Sequence, residues 1–322
     1  MAPSPKRRHL GAGAVLLTLI ASLAVAAPAA ATDPIFAFSP QPATGAPGSP
    51  PPPPIPPPNG YFNGPCGLAV DSSGRLYVSD HYHDAVDVFT PALGYAYVTQ
   101  LAAADPPGGP CALALDSANN LYVNDYHQSV AKFSPQPSFA PGPVFDTDSP
   151  TGVAVDPPTD DVYVDNRTHV SVYDSDGNPV MDGPDPLRIG LGTLGDGHGL
   201  AVSGFAGTLG YVYVPDAADN TVKVYDPATD TANPLAEIDG AATSAGEFVS
   251  LRDSSVAVDR VNGDVYVVEN TQPSHTEQPR GRVHVFSSAA TYKGHLKYDV
   301  VHGTPSGLAV DNSAEALSLI HI

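Results

Sequence analysis

Five times along the chain, apolar residues alternate with polar or small ones: Val86-Asp87-Val88-Phe89, Val130-Ala131-Lys132-Phe133, Val170-Ser171-Val172-Tyr173, Val222-Lys223-Val224-Tyr225 and Val283-His284-Val285-Phe286. A period of two is the mark of a half-buried strand. Each segment follows a shorter phrase, Leu76-Tyr77-Val78, Leu121-Tyr122-Val123, Val162-Tyr163-Val164, Val212-Tyr213-Val214 or Val265-Tyr266-Val267. Upstream of these lie runs that are apolar or small throughout: Pro65–Asp71, Pro110–Asp116, Pro150–Asp156, a worn His198–Val202, and Ser255–Asp259. A clean sixth copy stands at Pro305–Asp311. Runs of this kind predict inner strands packed on both faces.

The aspartate that closes the first phrase falls at positions 71, 116, 156, 203 (a serine), 259 and 311, spacings of 45, 40, 47, 56 and 52 residues. That is the length of a propeller blade or slightly more. The order G-[VL]-A-V-D, [LV]-Y-V-x-D, V-x-V-[FY] resembles the NHL repeat from Pro65 to Asp311. The resemblance implies an all-β, six-bladed propeller of four-stranded antiparallel blades. Five blades are complete on this reading and the sixth is partial. Departures are Ser203 for the repeat aspartate, Asn166 and Glu269 for the acid after Tyr-Val, and an insertion at Thr271–Gly281. Because Leu317–Ile322 breaks off within a repeat, the protein is expected to continue beyond it.

Chain direction reverses at every turn of an antiparallel blade. Residues ahead of each first phrase therefore share a face with residues after each Tyr-Val. This gathers Cys66, Asp80, His81, His83, Cys111, Asp125, His127, His198, Asp216 and Glu269 around one mouth of the central channel, the expected ligand site of a closed ring. The histidines of Asp80-His81-Tyr82-His83-Asp84 have two readings. They are metal ligands, or they are polar turn residues bonded to the next strand, and the second is preferred because no zinc spacing is satisfied. Cys66 and Cys111 occupy one register in successive blades, with His198 matching them in blade four. A disulfide, free thiols and a Cys-Cys-His zinc site are all open, since neighbouring inner strands diverge and bridging needs Cα atoms within about 7 Å. Asp174-Ser175-Asp176-Gly177-Asn178 lacks the later glutamate of a calcium loop and reads as a hairpin turn.

At the N-terminus, Lys6-Arg7-Arg8, the apolar run Ala12–Ala27 and Ala29-Ala30-Ala31 follow the order of a signal peptide over residues 1–31, too short for a membrane span. Residues 32–60 form a proline-rich spacer with Pro50–Pro54 and Pro56–Pro58. Ile35–Phe38 is a stray strand that could help close the ring. The propeller then occupies residues 61–322. Removing Lys6, Arg7 and Arg8 takes the formal charge from −20 to −23, which repels nucleic acid and anionic lipid.

These features predict a secreted or cell-surface binding or scaffold module for an extracellular protein, small-molecule or glycan ligand, with no cofactor. No serine-nucleophile, phosphate-loop or zincin motif is present. The alternative comes through the resemblance. Related six-bladed propellers include lyases and lactonases that place histidines and a metal, zinc or calcium, at the channel mouth, and His198-Gly199-Leu200-Ala201 resembles the start of such an inner strand. The equivalent positions here are Cys66, Cys111, Thr151, Ser254 and Ser306, so the three-histidine set is missing.

Overall fold

The computed structural model describes residues 36–37, 62–90, 96–102, 109–244, 246–271, 280–296, 307–311 and 318–321. The predicted signal peptide and nearly all of the spacer lie outside these residues. In each of the first five repeats the three phrases form consecutive strands, and a fourth completes an antiparallel sheet.

Blade one consists of Pro65–Val70, Leu76–Asp80, Ala85–Thr90 and Ala96–Ala102, and blade two of Pro110–Leu115, Leu121–Asp125, Ser129–Phe133 and Pro141–Phe145. Blade three consists of Gly152–Val155, Val162–Asp165, Val170–Tyr173 and Arg188–Ile189, with a side hairpin, Met181–Asp182 and Asp185–Pro186, ahead of its last strand. Blade four is Ala201–Val202, Val212–Asp216, Thr221–Tyr225 and Ala236–Ile238, and blade five Val256–Val258, Val265–Thr271, Arg280–Phe286 and Tyr292–His295. In the sixth position Leu308–Asp311 pairs antiparallel with Ser318–His321, whose other edge takes Phe36–Ala37 in parallel. The stray strand near Phe36 thus joins the sixth sheet. The fold is an all-β propeller; the one helix among the described residues is the short 3-10 turn His81–His83. No helix among them is long and apolar enough to cross a membrane.

The core is divided into wedges between successive blades. Val86, Val88 and Leu113 fill the first, and Tyr122, Val153 and Val164 the second. Tyr163, Leu200 and Val214 fill the third, and Tyr213, Val256 and Val267 the fourth. Tyr266 with Leu308, and Leu76 with Ala309, seal the last two and bring the sixth inner strand between blades five and one. Valine-rich strands suit this work, because a β-branched side chain packs well on a pleated surface.

The close of each first phrase is a turn built by the repeat aspartate. Asp71 Oδ1 accepts the Ser73 and Arg75 N–H groups, and Asp116 Oδ1 those of Ala118 and Asn120. An aspartate side chain that mimics the backbone in this way fixes a tight turn. The Asp174–Asn178 segment follows suit: Asp174 Oδ1 accepts from Asp176 and Asn178, and Gly177 takes the positive φ of 82°. It is a hairpin turn, as its sequence predicts.

Candidate active site at the channel mouth

All six first phrases contribute to one cavity of about 340 Å³, through Leu68, Leu113, Val153, Leu200, Val256 and Leu308. Of the ten predicted mouth residues, Cys66, His81, Cys111 and His198 line it.

The cysteines form a disulfide, with Cα atoms 4.8 Å apart. Two local features overcome the divergence of the inner strands. Register shifts between Pro65 and Leu68 and between Pro110 and Leu113 release both cysteines from their ladders. Gly67 then lets the backbones meet, since a Cβ there would collide with the Cys111 carbonyl oxygen. The bond occupies both sulfurs, so a Cys-Cys-His metal set does not form.

His198 is nine-tenths buried. Its Nδ1 accepts the Asp253 N–H at 3.3 Å, so the neutral ring carries its proton on Nε2, which stands 3.5 Å from Asp196 Oδ2. That distance is long for a hydrogen bond but short enough for the charge to act. Asp196 is itself held by Arg167, Nη2 at 2.6 Å and Nε at 2.8 Å from Oδ1. Burial would raise the Asp196 carboxyl, yet Arg167 and His198 together keep it below the ordinary range. On the opposite side, the Tyr126 phenol is pushed up by burial and by Asp253. His81 packs its ring edge-on to Tyr82 and Tyr126, with centroids 4.7 and 6.3 Å away.

The loop carrying His198 is fixed along its length. Gly195 and Asp196 N–H groups donate to Asp216, Gly197 N–H to the Arg167 carbonyl, His198 N–H to the Pro215 carbonyl and Gly199 N–H to Asp165 Oδ2. Asp216 is therefore a strut behind the site. Burial alone would raise its carboxyl, but these N–H groups and Lys223 hold it below the usual range.

The other predicted residues stand off the cavity. Asp80 is buried, accepts the Asn63 N–H at 2.8 Å and receives His83 Nδ1 at 2.8 Å. Glu269 takes the Val249 N–H and pairs with buried His284 at 2.9 Å. Asp125 lies opposite Pro110 at the end of its ladder, and the His127 N–H donates to the Pro150 carbonyl. Asp80 and His83 thus bond to each other and Asp80 to the entry of its own blade rather than to the next strand. Sequence reasoning missed Tyr126, Asp165, Arg167, Asp196 and Asp253. Asp165 ends a strand and the other four lie in the loops that the chain-reversal argument sends to this mouth, so a search beyond histidine, cysteine and the Tyr-Val acids would have reached them.

Among the described residues no three His, Cys, Asp or Glu side chains converge to hold a metal ion. The His198 surroundings agree: Nδ1 is occupied by a backbone N–H and Asp196 is committed to Arg167. The residues described do not fit a zinc or calcium centre.

No protein-family model matches this chain, and no curated protein matches it in sequence. Solved structures do resemble it in fold. A catalytically inactive variant of virginiamycin B lyase from Staphylococcus aureus, with quinupristin, superposes with a TM-score of 0.53 at 11% identity, over 76% of this chain and 73% of the lyase. A gluconolactonase from Xanthomonas campestris superposes with a TM-score of 0.51 at 16% identity, over 77% of this chain and 79% of the other.

Proposed function

We propose that this chain, read as a propeller of NHL-type repeats exported on its signal peptide and held out by the proline spacer, takes a small cyclic ligand at the channel mouth. We further propose that it acts on that ligand in the manner of a lyase or lactonase. Its fold neighbours include a virginiamycin B lyase and a gluconolactonase, which favours ring-opening chemistry over a pure scaffold role. The observation that carries the reading is His198, turned into the cavity with its Nδ1 lone pair taken by the Asp253 N–H.

In that tautomer Nε2–H is the group offered to the ligand. It donates a hydrogen bond that polarises a carbonyl or leaving oxygen, with the ring staying neutral because Nδ1 remains the acceptor of the Asp253 N–H. No step is routed through a metal. One observation favours the second reading, a binding module: beside His198 the described polar neighbours are a backbone N–H and the Asp196 and Asp253 carboxylates, with no hydroxyl or thiol nucleophile paired to it.

The test is ring opening of a panel of γ- and δ-lactones and cyclic depsipeptides by purified full-length protein, followed by mass spectrometry. Turnover lost by about 100-fold or more in His198→Ala supports the enzyme reading. Saturable binding without turnover, retained in the variant, would replace it with the binding module.

A further inference from the structure

We propose that Asp165 is the positioning residue of His198: from blade three, its carboxylate sets the backbone of the blade-four loop that presents the imidazole to the cavity. Any catalytic consequence rests on the function proposed above; the positioning itself does not.

Asp165 ends the second strand of blade three, fully buried, in a slot that the other blades fill with Ser79, Asn124, Pro215 and Val268. Both oxygens are committed. Oδ1 accepts the Arg167 N–H at 2.8 Å and Oδ2 the Gly199 N–H at 3.0 Å. Arg167, in the left-handed region at φ 69°, then grips the same loop twice more. Its carbonyl accepts the Gly197 N–H at 2.7 Å and its guanidinium holds Asp196. Thr151 Oγ1 bridges the Asp165 and Gly197 carbonyls. The loop is thus clamped on both sides of His198 by a blade to which it does not belong. The carboxylate lies so close that a Cβ on Gly197 would collide with Asp165 Oδ1, which explains glycine at that position.

The clamp also carries a charge that can be switched. Burial pushes the Asp165 carboxyl up to about 7, and Asp216 across the blade interface adds to this, while the Arg167 and Gly199 N–H bonds and Thr151 oppose it. The charged and titratable groups around it are Arg167 on its own blade and Asp216, Asp196 and His198 on blade four. When Asp165 takes up a proton it becomes a weaker acceptor for Gly199, and the loop that orients His198 loses part of its hold.

The experiment follows the His198 ring nitrogens by NMR in the full chain, assigned through His198→Gln, in wild type and Asp165→Asn, with circular dichroism as the check on folding. Wild type is expected to show the Nε2–H tautomer and an inflection near pH 7 on the His198 signal that reports the Asp165 carboxyl. Asp165→Asn is expected to remove that inflection and weaken the tautomer preference. A folded Asp165→Asn whose His198 signal keeps the wild-type tautomer and pH profile would overturn the proposal. If that variant does not fold, Gly197→Ala, which crowds the carboxylate without removing it, is expected to perturb the same signal, and an unperturbed His198 there would equally overturn it. Because the readout is the imidazole itself, absence of ring opening across the whole panel would sink the proposed function without touching this result.

Discussion

The Tyr122 hydroxyl donates to Asp116 Oδ2 at 3.3 Å, and Tyr77 makes the same bond to Asp71 at the same distance. In blades one and two the tyrosine of the second phrase thus bonds to the aspartate of the first, and the two residues form one device. A fully buried ring fills the wedge between blades while its hydroxyl braces the turn. Burial, with the aspartate beside it, pushes each phenol far above its ordinary range, so both stay protonated donors. Blade four does without the acid. Ser203 Oγ bonds to Thr208 Oγ1 at 2.9 Å, and the Tyr213 ring packs in the wedge there.

Removing one half of the device should therefore cost less than removing the other. Tyr122→Phe loses one donor, shared between Asp116 Oδ2 and the Ser175 carbonyl at 3.3 Å each, and keeps the ring, a loss of about 1 kcal/mol. Asp116→Ala also strips the turn of the acceptor for two N–H groups and should cost about 2–3 kcal/mol, comparable with losing a cap and leaving polar groups unpaired. Urea unfolding of the two variants orders them directly.

The Cys66–Cys111 bond closes a loop across 45 residues and ties the inner strands of blades one and two at the mouth. Loop-closure entropy makes such a crosslink worth about 2–4 kcal/mol. Cys66→Ser/Cys111→Ser should unfold at lower denaturant by that amount. Thiol titration of the unfolded, unreduced wild type should find no free sulfhydryl.

How far the sequence disclosed this arrangement depends on whether a feature repeats. Leu68, Leu113, Val153, Leu200, Val256 and Leu308 were legible as the innermost ring because each sits in the same phrase, and all six line the cavity. The disulfide stayed open at that level. Its geometry depends on a paired register shift and on Gly67, and neither has a signature beyond a single glycine. Arg167 and Asp196 lie in loops of unequal length where no register carries from blade to blade, and their pairing exists only once blades three and four are packed. The same holds for Asp80 and Glu269, whose side chains turned out to tie down the loop entering their own blade.

Asp87 predicts a pH dependence of stability. It is buried on the third strand of blade one, and burial, reinforced by Asp80 and opposed by His83, pushes its carboxyl up to about 7. An acid raised in the fold favours the protonated native state. Its contribution is present below the unfolded value near 4 and is lost as pH rises through about 7. Asp87→Asn should flatten the part of the decline between pH 4 and 7 that comes from this site, and should be more stable than wild type at pH 8. Equal slopes for the two proteins in urea midpoints across that range would contradict the assignment.

Lys223 links stability to the mouth. Its ammonium, 8% exposed at the side chain, lies 2.9 Å from Asp216 Oδ2 and 3.0 Å from Asp219 Oδ2. Lys223→Met leaves Asp216 buried, charged and supported only by backbone N–H groups, and breaking a buried pair from one side costs roughly 3–5 kcal/mol. Those N–H groups place the true cost near the lower end. The pH dependence should change as well. A depressed Asp216 carboxyl stabilises the fold above its unfolded value and loses that effect as pH falls through its lowered native value, so the variant should begin to lose stability at a higher pH than wild type. Because Asp216 also holds the Gly195 and Asp196 N–H groups, Lys223→Met should weaken ligand binding at the mouth although Lys223 does not line the cavity. Adding Asp216→Leu removes the orphaned charge and should recover part of the stability, but it should not restore binding, because the strut behind His198 is then gone. A double variant that regained both would show that the pair stabilises blade four without presenting the site.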